Sequence, residues 1–233
     1  DIPYFYCNDH LHNKIYETCR HTLLMCMHEH YEDCPWREQA LYTLDSFNQM
    51  RAGYYVFGEY DMPRESLRLV ALSLRKDGLL ELCSPARVSV TIRSFSLAFI
   101  LGLRDYLLYS NDAGFVREYL PVAERIVQTV ESRISENGLV PRFSGEGFWN
   151  FYEWEAGLDG STDFETEIFD APLNEYFSMA LDSMENIYKI LGYEEKAESE
   201  GKLRDILNRN IDVNFWSEEK QAYCTYITSD GKI

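Results

Sequence analysis

EDCPWREQALYTLDS, residues 32–46, joins two stretches of helical periodicity around one proline. Pro35 biases Cys34 away from the α region, so the helix before it ends near Glu32. That helix starts at about Asn8, a good N-cap, and carries Leu11, Ile15, Cys19, Leu23 and Met27 on one face. The helix after the turn starts near Thr43, with Leu44, Phe47, Met50 and Tyr54 along its apolar side. Two helices joined by a short turn form a helical hairpin, and the same period continues along the chain. A third helix follows Asp61 as cap, has Pro63 in its first turn, and holds Leu67, Val70, Ala71 and Leu74 until Gly78. Further helices cover about 93–109, 113–134, 171–191 and 194–210, the second of these stopping before Asn137-Gly138. Tyr223, Thr225, Tyr226, Ile227 and Thr228 favour a strand before Asp230-Gly231. No strand–helix alternation and no short repeat occur, which argues against a doubly wound fold and against a TPR or ankyrin array. The fold class is all-α, built of antiparallel helical hairpins.

The 233 residues carry 39 acidic against 22 basic side chains, a formal charge of −17. A phosphate backbone would be repelled, so nucleic acid is excluded as a partner. No run of apolar residues is long enough to span a membrane. The acid is unevenly placed: between Phe143 and Tyr188 there are 11 Asp and Glu and no Lys or Arg. This segment includes a long connection from Pro141 to Asp170 without lasting helical period, and loops of that length are often functional. It is also aromatic. Acid beside aromatic rings suits a neutral, hydroxyl-rich ligand such as a sugar, since carboxylates accept from hydroxyls and ring faces cover C–H faces. The same composition also describes a solubilising acidic surface.

Six cysteines without a CxxC pair suggest neither a zinc ribbon nor a disulfide framework, and favour the cytoplasm over the periplasm or secretion. Cys19 and Cys26, a heptad apart, are expected as small buried apolar groups. All five histidines lie in the first 30 residues, but His28-Glu29 is followed by Glu32 where a zinc helix needs histidine. No metal and no cofactor are expected. The first residue is Asp1 and no signal-peptide pattern follows, as in an excised domain.

Residues 32–45 remain the densest cluster: four carboxylates, Arg37 and Trp36 around a proline turn. Either these groups face a ligand at a cavity mouth, with the proton affinity of Glu38 set by local burial, or Arg37 pairs internally with Asp33 or Glu32.

The run resembles the signature of bacterial α-L-rhamnosidases, which commonly reads DCPxRE with an Asp seven residues after the Glu. Asp33, Cys34, Pro35, Arg37, Glu38 and Asp45 match; Leu41-Tyr42-Thr43-Leu44 replaces the Gly-Trp segment of the family. Phe151-Tyr152-Glu153-Trp154 is similar to a Gly-Asp-Trp loop of that family, with Glu153 in the Asp position. The resemblance implies a six-hairpin (α/α)6 barrel, of which residues 1–233 would be a truncated N-terminal portion. It implies inverting removal of terminal α-L-rhamnosyl residues from a rhamnosylated glycan or glycoside. Glu38 would be the general acid and the general base a Glu beyond this chain, leaving the chain alone inactive. Asp33 and Asp45 would accept from ring hydroxyls, Arg37 would orient a hydroxyl or carboxylate, and Glu153 would contribute to the pocket; Trp36, at a position the family does not fix, is expected to line it as well. Trp154, with Trp149, would pack on the methyl-bearing face of the sugar. An unclosed ring would expose apolar helix faces, so a homo-oligomer through the open edge is expected. Two alternatives stand beside this reading: a six-hairpin glycosidase for a different sugar, and a catalytically silent carbohydrate-binding or scaffold domain.

Overall fold

Seven α-helices occur among residues 3–160 and 166–229, which the computed structural model describes. They are α1 (His10–Met25), α2 (Thr43–Val56), α3 (Asp61–Ala71), α4 (Arg93–Ser110), α5 (Ala113–Glu131), α6 (Ala171–Leu191) and α7 (Glu194–Phe215). Their packing alternates. Helix α4 lies against both α2 and α6, while α3, α5 and α7 pack around these three. Fourteen of the eighteen α4 residues are buried, as expected of a helix with neighbours on every side. Helices α2, α4 and α6 are thus an inner row, and the others an outer one, the arrangement of successive helical hairpins.

Three short antiparallel pairs fasten the connections: β1 (Leu41–Tyr42) with β2 (Cys83–Ser84), β3 (Ile168–Asp170) with β6 (Tyr226–Thr228), and β4 (Trp216–Ser217) with β5 (Ala222–Tyr223). The expected terminal strand is split, Tyr223 falling in β5 and Tyr226–Thr228 forming β6; the turn at Asp230-Gly231 lies outside the described residues. The first two pairs matter for function, because β1 leads directly into α2 and β3 into α6.

Several element ends differ from the sequence reading. Helix α1 is capped by Asp9, not Asn8: its carboxylate accepts from the amides of Leu11 and His12. The α1 stripe is not a core face. Leu11 and Ile15 are 65% and 50% exposed and Cys19 is exposed, while Leu23 and Met27 pack partly against the core. Helix α1 packs mainly on α2, so only the end of its stripe finds cover. Cys26 is buried as expected. Helix α3 includes Asp61 rather than being capped by it, and the Glu59 carboxylate accepts from the Met62 amide. Helix α5 stops at Glu131, short of Ile134. Helix α7 runs five residues past Asn210, because Ile211 and Phe215 extend the buried row begun by Leu207.

The inner helices share one further trait. The N-caps of α2, α4 and α6 are Tyr42, Ile92 and Asp170, and none provides a side-chain cap. Among the outer helices, α1 and α5 are capped by Asp9 and Asp112, whereas the N-cap residues of α3 and α7, Tyr60 and Tyr193, provide no side-chain cap either.

Candidate active site

The loop before α2 is closed on itself by Asp33. Its backbone amide donates to the Ala40 carbonyl (3.0 Å) and its Oδ1 accepts from the Ala40 amide (2.9 Å). Within this ring the Cys34 thiol donates to Oε2 of Glu38 at 3.2 Å. Arg37 reaches Oε1 of Glu38 only at 3.9 Å and is 81% exposed. Neither Asp33 nor Glu32 takes it up; Glu32 instead meets His28 Nδ1 at 2.8 Å.

Asp33, Arg37 and Glu38 line a cavity of about 550 Å³ together with Tyr42 and Asp45 from the start of α2. Its apolar lining is Leu82, Ile92 and Phe95, from β2–α4, and Trp149, Phe151 and Trp154 from the long loop. Three carboxylates and three loop aromatics therefore share one concavity. Two residues expected there are elsewhere. Trp36, at the tip of the ring closed by Asp33, is 87% exposed and does not line the cavity. Glu153 is exposed and folds its carboxylate onto the Trp154 amide (2.7 Å), so it shapes the turn and not the cavity.

The carboxylates differ in environment. Burial raises the proton affinity of Asp45, and the charge of Asp33 adds to it. Glu38 is shifted the other way. The bond from Cys34 lowers it first, its own backbone amide next, and Arg37 adds to this. Local burial therefore does not set the Glu38 carboxyl, whose side chain is 43% exposed. Tyr42 is raised by burial and by the charges of Cys83, Asp33, Glu38 and Asp45, which keeps its phenol protonated. Asp33, Cys34 and Glu38 place donor atoms within 4.8 Å of one another, the spacing of a metal site. The Ala40 amide and the Cys34 thiol already satisfy this group internally.

The aromatic loop is held by the beginnings of α4 and α6. Thr91 pairs with it in both directions, accepting from the Trp149 amide (3.0 Å) and donating to the Gly147 carbonyl (2.9 Å). Arg93, 1% exposed, donates through Nη2 to the Trp149 carbonyl (3.4 Å) and to Asn150 Oδ1. Its guanidinium lies over the rings of Phe143 and Phe148, at 5.2 and 5.9 Å. Tyr152 donates to Asp170 Oδ2 (3.0 Å), and Arg142 clamps the same carboxylate with two nitrogens. Trp149 is fixed further by its Nε1 donating to the Asp159 carbonyl (2.9 Å). Gly160, at φ 78°, passes close enough that a Cβ would meet Trp149 Cδ1 at 2.7 Å. Trp154 then packs edge to face on Trp149 and on Phe151, which are tilted to each other, with centroids 4.7–5.9 Å apart. Phe151 and Tyr42 were not singled out from sequence. The aromatic density of GFWNFYEW (147–154) signals the first, whereas nothing local signals the buried Arg93.

A search of solved structures finds a rhamnosidase of Bacillus sp. GL1, 28% identical, with a TM-score of 0.88 over 98% of this chain and 23% of that one. The rhamnosidase from Klebsiella oxytoca, with rhamnose bound, is 23% identical with a TM-score of 0.82, over 96% of this chain and 42% of that one, and shares the fold. Among curated proteins, an alpha-L-rhamnosidase of Formosa agariphila is 27% identical over 223 residues, 88% of this chain. The chain spans about a quarter of the length of that relative, 23%. The family profile described as the bacterial alpha-L-rhamnosidase 6 hairpin glycosidase domain matches residues 1–230. The chain therefore belongs to the bacterial alpha-L-rhamnosidase six-hairpin glycosidase domain family.

Proposed function

We propose that this chain is the N-terminal portion of a six-hairpin catalytic domain that removes terminal α-L-rhamnosyl residues by inverting hydrolysis. The observation that carries this reading is that Asp33, Glu38 and Asp45 share one cavity with Trp149, Phe151 and Trp154. Glu38 protonates the glycosidic oxygen as the aglycone leaves. Asp33, through the oxygen that the Ala40 amide leaves free, and Asp45 accept hydrogen bonds from ring hydroxyls. Arg37, exposed at the rim, orients a hydroxyl of the substrate. The aromatic wall covers the methyl-bearing face of the sugar. An inverting pair stands about 6.5–9.5 Å apart to admit a water. Asp33 comes within 4.8 Å of Glu38 and is tied to the loop, so it does not serve as the base. The base comes from another part of the protein, and the names of the relatives support rhamnose as the sugar.

The replacement of the Gly-Trp segment by Leu41-Tyr42-Thr43-Leu44 favours one second reading. Tyr42 puts a phenol into the cavity lining, where a different terminal sugar would find another hydrogen-bonding partner. Hydrolysis of a panel of p-nitrophenyl glycosides by the protein that carries this chain tests both. The expected outcome is preference for the α-L-rhamnoside and a loss of about 10²–10⁴-fold in kcat for Glu38→Gln. Retained hydrolysis in that variant removes Glu38 from the mechanism; hydrolysis of none of the panel supports a silent binding domain. The 233-residue chain alone is expected to release no p-nitrophenol.

A further inference from the structure

Cys34 lies inside the motif, yet the proposed reaction leaves it without a part. Its Sγ stands 3.2 Å from Oε2 of Glu38, across the turn that Pro35 enforces and Asp33 closes. The thiol is free and half-buried. Among the described residues no cation takes its place at Oε2, since Arg37 is solvated and stands 3.9 Å from the other oxygen.

We propose that Cys34 is a positioning residue for Glu38: its S–H donates to Oε2 and holds the carboxyl in one orientation at the cavity. The inference rests on the reading of Glu38 as general acid and deepens it. A donor that faces a carboxylate stabilises the ionised form. The other charged or titratable groups around Glu38 are Asp33 and Arg37 on its own loop, Tyr42 on β1 and Asp45 on α2. Cys83 on β2 stands behind Tyr42, and the described lining from α4 and the aromatic loop, Ile92, Phe95, Trp149, Phe151 and Trp154, does not titrate. A general acid loses activity as pH rises through its own titration. The Cys34 bond therefore places the alkaline limb of the rate profile at lower pH than the loop would otherwise set.

Two measurements on the protein that carries this chain test the contact. The first is the pH dependence of kcat/KM for wild type, Cys34→Ala and Cys34→Ser. The alkaline limb is expected to move to higher pH in the alanine variant and to return with serine, whose hydroxyl also donates. Superimposable profiles overturn the proposal, because a merely structural role would lower the rate without moving the limb. The second needs no activity: the rate of iodoacetamide modification of Cys34, followed by peptide mass. Glu38→Gln exchanges the charged acceptor that holds the Cys34 S–H for a weaker amide one, and Cys34 is expected to be alkylated about three- to tenfold faster, with exposed Cys19 unchanged. Equal Cys34 rates overturn the contact. Faster alkylation together with full hydrolysis by Glu38→Gln separates the two readings: the contact is then real, and its role in catalysis is overturned.

Discussion

Trp36 and Trp154 are similarly exposed, 87% and 76%, yet only Trp154 lines the cavity. Trp36→Ala is expected to change kcat/KM less than about twofold, the usual size of an exposed substitution that touches nothing. Trp154→Ala should weaken L-rhamnose binding by about 0.5–1.5 kcal/mol, measured by titration calorimetry on the full protein. Asp45 makes a sharper case. Burial and Asp33 disfavour its charge. Asp45→Asn should therefore raise the melting temperature at neutral pH while weakening sugar binding, the trade-off typical of a binding carboxylate held for function. Lower stability in the variant, with unchanged affinity, would reject that role. The motif made Asp33, Glu38 and Asp45 legible because their spacing is fixed by the loop and the first turn of α2. It could not orient Trp36 or Glu153, because neighbours in sequence point in different directions once Asp33 closes its ring and Glu153 turns back on an amide.

The aromatic loop depends on elements far from it in sequence. Asp170, 2% exposed, gathers Arg142 and Tyr152 at the start of α6. Asp170→Asn leaves Arg142 with a reduced clamp inside the protein and is expected to cost about 3–5 kcal/mol, read from denaturant unfolding. At the other face of the same layer, Glu200 on α7 approaches Glu124 and Glu131 of α5. Burial, then these two charges, raise its carboxyl to about 7, with Lys196 opposing. Its folded-state affinity for a proton exceeds its ordinary one, so stability falls as pH rises from about 4.5 to about 7. Glu200→Gln should remove that decline, so the melting temperatures of variant and wild type separate across this window. Parallel curves would refute it. Helix α6 was legible to the residue because Asp170, Pro172 and Gly192 bracket an unbroken apolar period. Arg93 was not legible, since its burial follows from which loop docks over the α4 start, information that lies more than fifty residues away.

For the molecule as a whole, the central place of α4 follows from apolar content: its sequence is the most apolar of the seven helices, and it packs against α2, α3, α5 and α6. The hairpin order was therefore readable, whereas the exposure of α1 was not, because amphipathicity names a face without naming what covers it. The proposal of association through the open edge belongs at this scale. Leu11→Glu with Ile15→Glu should reduce any concentration-dependent self-association of the chain in sedimentation, and unchanged behaviour would exclude this face. The uncapped starts of the inner row have a consequence of their own. Each helix start carries a backbone charge of roughly +0.5, which a capping carboxylate would mask. The starts of α2 and α4 open beside Asp33, Glu38 and Asp45, while that of α6 already holds the Asp170 carboxylate. Peptide dipoles at the starts of α2 and α4 thus act as built-in counterions for the carboxylates that line the cavity. The −17 formal charge consequently overstates the repulsion that this cavity feels, and lowering the ionic strength should unsettle it far less than side-chain arithmetic alone would suggest.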